Sequence, residues 1–98
     1  MKITKEAIAG TLESSDLLVK VAPGNSDVLD IVIQSEVIKQ FGKQIRRVVA
    51  ETLQKLDVSQ GSVVIEDKGA LDYAIKARVQ AAVLRGAASE ELDWGRLS

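Results

Sequence analysis

The chain has 98 residues and a formal net charge of −1; 46% of its residues are apolar, and it holds neither cysteine nor histidine. That length predicts one small domain over residues 1–98, able to bury roughly 60–68% of its unfolded surface. The near-neutral charge suggests neither nucleic acid nor an anionic membrane as a partner, and the missing residue types exclude disulfides, thiolate metal sites and every nucleophile–histidine arrangement.

Residues 6–13 and 17–22 read as extended segments on either side of a turn at Ser14-Ser15-Asp16. Pro23-Gly24-Asn25-Ser26-Asp27 is the strongest turn signal, because proline fixes φ while glycine and asparagine tolerate positive φ. From Val28 to Gln34 the pattern alternates, with Leu29, Ile31 and Ile33 on one face and Asp30, Val32 and Gln34 on the other. This predicts a half-buried strand that forms a hairpin with the one before it.

Ser35 is a natural N-cap, with Glu36 placed to complement the dipole of a following helix. Val37, Ile38, Phe41, Ile45, Val48, Val49, Thr52, Leu53 and Leu56 then recur at three- and four-residue spacing, predicting an amphipathic helix of about six turns. Gly42 inside it marks either a close contact or a tolerated defect costing up to about 1 kcal/mol. Asp57 to Gly61 ends the helix, and Ser62 to Glu66 is a short β-branched strand. Asp67-Lys68-Gly69 turns into a second helix, roughly Ala70 to Arg85, with Gly86 as its C′ stop. Its apolar line runs through Leu71, Ala74/Ile75, Ala77/Arg78, Val79 and Ala82/Val83. Residues 87–98 form a C-terminal tail bearing Leu92, Trp94 and Leu97, expected either to dock or to stay flexible. Charges interrupt every hydrophobic segment and no secretory h-region opens the chain, so a cytoplasmic location is expected.

The order β-β-β-α-β-α predicts an α+β two-layer sandwich, a small and mostly antiparallel sheet covered on one face by two helices. Val21, Val32 and Val64 are candidates for the uncovered face.

Enzyme signatures are absent. Gly10, Gly24, Gly42, Gly61, Gly69 and Gly86 form neither a dinucleotide fingerprint nor a P-loop. The pairs Glu66-Asp67 and Glu90-Glu91 read as solvated charge, and paired-carboxylate catalysis would need a pocket that nothing in so small a domain suggests. Lys39, Lys43, Arg46, Arg47 and Lys55 outnumber the acids of the first helix; this basic side either contacts water or meets an acidic or phosphate-rich partner. No residue is assigned a catalytic or metal-binding role. Ser14 stands out as an exposed hydroxyl between Glu13 and Asp16, although local physics alone favours an ordinary turn there.

The stretch Gly10-Thr11-Leu12-Glu13-Ser14-Ser15-Asp16 resembles the prosthetic-group attachment motif of the citrate lyase acyl carrier proteins, the gamma subunits of that complex. Lys39-Gln40-Phe41-Gly42 and Asp67-Lys68-Gly69-Ala70-Leu71-Asp72 are similar to the same family, and the resemblance spans about Ile3 to Trp94.

The resemblance implies a non-catalytic carrier with a covalent cofactor on Ser14. The cofactor would be 2'-(5''-phosphoribosyl)-3'-dephospho-CoA, joined through a phosphodiester by a dedicated transferase. Its thiol would carry acetyl and citryl thioesters between an acyltransferase (alpha) and a lyase (beta) subunit, as citrate is cleaved to oxaloacetate and acetate. Apart from the resemblance, the position of Glu13 and Asp16 beside the serines suggests that they help the transferase recognise the turn. Ser15, one residue on, is the competing hydroxyl. Carriers of citramalate lyase or malonate decarboxylase are a related reading, and a non-catalytic interaction domain is a separate one.

Overall fold

The computed structural model describes residues 1–24 and 27–87. The tail residues Leu92, Trp94 and Leu97, the pair Glu90-Glu91, and Asn25 and Ser26 of the predicted turn lie outside the described residues. Strands β1 (Ala7–Gly10), β2 (Leu17–Ala22) and β3 (Leu29–Ser35) precede helix α1 (Ile38–Lys55), strand β4 (Gly61–Asp67) and helix α2 (Asp72–Gly86). Both the element order and the α+β class are as the sequence predicts.

The four strands lie in the order β1-β2-β4-β3. The β1–β2 and β2–β4 pairings are antiparallel, whereas β3 and β4 run parallel. The predicted hairpin between β2 and β3 is therefore not formed, because β4 lies between them. The physical reason is α1. A helix between two strands is a crossover that returns the chain to run parallel to the first strand, and β4 takes the place beside β3. The hairpin present is β1–β2, with Gly10 opposite Leu18, and it is closed by residues 11–16.

Both helices cover one face. Leu17, Val19 and Val21 of β2 and Val63 and Ile65 of β4 point into a core shared with Ile45, Val48, Val49 and Leu53 of α1 and Ile75, Val79, Ala82 and Val83 of α2. α2 packs on β1 and β2, and α1 packs on β3 and α2. The opposite face carries Ile8, Lys20, Val32 and Val64; Val32 and Lys20 both sit beside Val64. Val21, predicted for that face, is buried beside Val63 instead. The period of two puts Val21 with Leu17 and Val19, and leaves the charged Lys20 on the open side.

The helix ends differ from the predicted ones. α1 begins at Ile38 after Val37, and no acidic residue lies in its first turn. Ser35 ends β3, and its hydroxyl accepts the Val37 amide at 3.1 Å; Glu36 pairs with Lys68 at 3.2 Å. At Gly42 an added Cβ would meet only the side chain of Ile38, one turn earlier. Gly86 is the last residue of α2 rather than a stop beyond it, buried and accepting the amides of Thr4 and Lys5 through its carbonyl. Among the described residues no helix is long and apolar enough to cross a membrane.

Candidate functional site

The segment Thr11–Asp16 joins β1 to β2 and is held by backbone hydrogen bonds at Thr11, Glu13, Ser15 and Asp16. The Thr11 amide donates to the Leu17 carbonyl at 3.1 Å, continuing the β1–β2 ladder one step beyond the strand. The Asp16 amide donates to the Glu13 carbonyl at 3.1 Å, so Ser14 and Ser15 are the central residues of a β-turn. Ser15 has φ 66°, and Ser14 does not share the positive sign, which is the pattern of a type II turn with serine in the position that glycine usually takes. A left-handed residue with a Cβ costs about 1–2 kcal/mol, and the surroundings must supply it. They do so through Lys68: its carbonyl accepts the Ser15 amide at 2.8 Å, and its amide donates to the Asp16 carbonyl at 2.9 Å. The turn is thereby tied to the end of β4.

The Asp16 side chain is the second anchor. Oδ2 accepts the Thr11 hydroxyl at 2.7 Å, and Oδ1 accepts the Leu17 amide at 2.8 Å. Arg78 of α2 reaches across with a fork, Nε to Oδ1 at 3.1 Å and Nη2 to Oδ2 at 3.0 Å. Hydrogen bonds from Arg78, then Thr11, then the Leu17 amide hold the Asp16 carboxyl at a pKa of about 2. The Thr11 hydroxyl also accepts the Glu13 amide at 3.2 Å.

What this scaffold presents is Ser14. Leu12, Glu13, Ser14 and Ser15 are all exposed, and among the described residues no hydrogen bond or ion pair engages the Ser14 hydroxyl or the Glu13 carboxylate. Ser14 is thus a free hydroxyl on a fixed turn. The sequence singled out Ser14, Glu13 and Asp16 but missed Arg78, whose signal was a guanidinium on the apolar line of α2. The Arg78 side chain is 41% exposed and reaches Asp16 beside the start of β2.

A groove of about 330 Å³ opens between α1 and the connection into α2, contrary to the expectation that so small a domain has no pocket; no residue of the Thr11–Asp16 turn lines it. It lies between Val37, Phe41 and Gln44 of the α1 end and Gly69, Ala70 and Leu71 leading into α2, because the apolar stripe of α1 outruns the core. Phe41 and Leu71 are 48% and 62% exposed. The carboxylates at its edge have structural partners. Asp67 accepts from Ser35, Gly69 and Ala70, and Asp72 accepts from Gln44. Neither is a free acid–base group.

Residues 4–86 match the acyl carrier family described as malonate decarboxylase delta subunit (MdcD). Full-length relatives are closer. A citrate lyase acyl carrier protein of Albidiferax ferrireducens is 63% identical over 97 residues, covering 99% of both chains. One from an Enterobacter species is 61% identical over 98 residues, and one from Vibrio cholerae 51%, each covering both chains entirely. The chain belongs to the citrate lyase acyl carrier protein family. A chain in a Pseudomonas malonate decarboxylase hetero-tetramer, solved in complex with malonate, shares the fold with a TM-score of 0.75 at 20% identity, over 85% of this chain and 84% of that one. Membership in an acyl carrier family implies a covalently attached prosthetic group.

Proposed function

We propose that this protein is the carrier subunit of a citrate lyase complex, bearing 2'-(5''-phosphoribosyl)-3'-dephospho-CoA in phosphodiester linkage to Ser14, and that catalysis belongs to the acyltransferase and lyase subunits it visits. The observation that carries the reading is the Ser14 hydroxyl, exposed and unengaged at the centre of a turn whose neighbours are all anchored. The fit is chemical as well as steric. A phosphodiester needs only an accessible oxygen, and no described side chain covers this one or competes for its proton. Removal of that proton falls to the transferase, since the chain has no histidine and no described side chain hydrogen-bonds to the hydroxyl.

When bound, the group supplies a thiol at the end of a long arm, which the cysteine-free chain lacks. The chain's own contribution is tethering. A firm attachment turn with a flexible arm beyond it raises the effective concentration at each partner site to roughly millimolar, provided the arm spans the distance. The 50–63% identity to citrate lyase carriers favours citrate cleavage over malonate decarboxylation, for which the likeness to the solved structure speaks to fold alone.

The test is intact mass after co-expression with the cofactor-synthesis and transfer enzymes. The expected result is a gain of one prosthetic group, lost in Ser14→Ala and kept in Ser15→Ala. A group carried by Ser15, or no gain at all, overturns the assignment.

A further inference from the structure

We infer that the two carboxylates flanking the serine pair divide the work: Asp16, clamped by Arg78, positions the turn from inside, and Glu13 is the group that the modifying enzyme reads. This deepens the proposed attachment at Ser14 and depends on it for the part concerning Glu13.

The division follows from what each carboxylate has left to offer. Asp16 accepts from the Thr11 hydroxyl, the Leu17 amide and both arms of the Arg78 fork. Its side chain is only 16% exposed. An incoming protein would have to break a bidentate, charge-assisted pair to use it, and such pairs are among the stronger contacts a surface makes. Arg78 in turn sits on α2, 62 positions away in sequence, so the fork fastens the turn to a helix packed on β1 and β2. Thr11 completes the frame, donating to Asp16 and accepting the Glu13 amide. The backbone of Glu13 is thereby fixed while its carboxylate stays exposed and without a partner among the described residues.

An unpaired carboxylate adjacent to Ser14 also has a cost for the reaction. The donor of a phosphate-linked group brings negative charge to the serine oxygen, and Glu13 repels it. A cationic side chain of the transferase set against Glu13 removes the repulsion and places the enzyme in register with the neighbouring hydroxyl. Recognition of this kind weakens with salt, whereas the internal Asp16–Arg78 frame changes the turn itself.

The test compares apo wild type with Glu13→Gln, Asp16→Asn, Arg78→Lys and Arg78→Ala. Two readouts are needed: transferase kinetics by intact mass across ionic strength, and amide hydrogen exchange of residues 11–16. Glu13→Gln relieves the repulsion but loses the larger attraction to the transferase cation, so it is expected to raise KM about tenfold at low salt and to flatten its salt dependence, with turn exchange unchanged. Arg78→Ala and Asp16→Asn are expected to speed exchange at Ser15 and Asp16 at least tenfold and to lower kcat/KM in step, with the salt dependence kept. Arg78→Lys, which keeps the charge but loses the fork, is expected to fall between. A wild-type KM and salt slope in Glu13→Gln overturns the proposal, as does Asp16→Asn that loses the salt slope while its turn exchanges normally. If wild type takes up no group, the Ser14 reading and the role of Glu13 fall together, and the exchange comparison alone decides the Asp16–Arg78 frame.

Discussion

Ser35, the last residue of β3, donates its hydroxyl to the Asp67 carboxylate at the end of β4, 2.8 Å away. The same carboxylate accepts the amides of Gly69 at 3.1 Å and Ala70 at 2.9 Å, and Asp67 is 2% exposed. One buried acid thus joins the parallel strand pair and shapes the connection into α2. Asp67→Ala leaves those donors facing each other with no acceptor. Gly69 is exposed and Ser35 and Ala70 are half-buried, so water relieves part of the loss, and with each bond worth about 0.5–1.5 kcal/mol net a destabilisation of about 2 kcal/mol is expected. Asp67→Asn, which retains one acceptor oxygen, should lose about half as much. Urea denaturation reads both as a lowered midpoint at constant slope.

Asp16 gives the fold an acid-sensitive element. Its carboxyl ionises at about 2 in the folded chain against an ordinary 3.8, chiefly through the Arg78 hydrogen bonds. A carboxyl that ionises more readily folded than unfolded contributes its full stabilisation above the unfolded value and loses it as pH falls toward the folded one. The window is therefore from about pH 5 down to pH 2. Because Arg78 is 41% exposed, solvent screening reduces the contribution to about 1–2 kcal/mol. Asp16→Asn should be less stable than wild type at pH 7, and the gap should close between pH 4 and 2 in parallel denaturation series.

Period was legible in the sequence, face was legible except at Val21, and partnership was not. The alternation from Leu29 to Gln34 correctly places Leu29, Ile31 and Ile33 toward the helices, and the three- and four-residue spacing correctly finds the buried Ile45, Val48, Val49 and Leu53. Period says which side of a strand is apolar but not which strand lies next to it, so the strong turn at Pro23 suggested a hairpin where the chain instead leaves room for β4. Burial also depends on where an element ends relative to the core. Phe41 and Leu71 fit their helical stripes, yet they line an open groove because the stripes run past the packed layer. At the β1–β2 turn, Glu13, Ser14 and Asp16 could be picked out as a cluster. The difference between the occupied Asp16 and the open Glu13 required Arg78, a residue on a distant helix.

Ser15 separates the turn's geometry from its chemistry. Its φ of 66° and its amide bond to Lys68 at 2.8 Å both disappear in Ser15→Pro, since proline fixes φ near −65° and has no N–H. A loss of about 2–4 kcal/mol is expected, combining the lost bond with the forced change of turn. Ser15→Gly acts the other way. It removes a left-handed penalty of about 1–2 kcal/mol and adds unfolded-state freedom of up to about 1 kcal/mol, for a net gain of about 0.5 kcal/mol. Opposite shifts in Tm for the two variants are the result to look for.

Gly10 and Gly69 flank the site with similar backbone angles and different surroundings. Their φ values are +92° and +89°. At Gly10 an added Cβ collides with the Leu17 carbonyl oxygen, the acceptor for the Thr11 amide; at Gly69 nothing lies within 4 Å. Gly69→Ala therefore carries only the backbone penalty, about 1–2 kcal/mol. Gly10→Ala carries that penalty and must also push β1 from β2 where the turn bearing Ser14 begins, for a loss of about 3 kcal/mol or more. The two variants should separate by hydrogen exchange as well as by stability. The Thr11 amide should exchange faster in Gly10→Ala than in Gly69→Ala, because only the former displaces its acceptor.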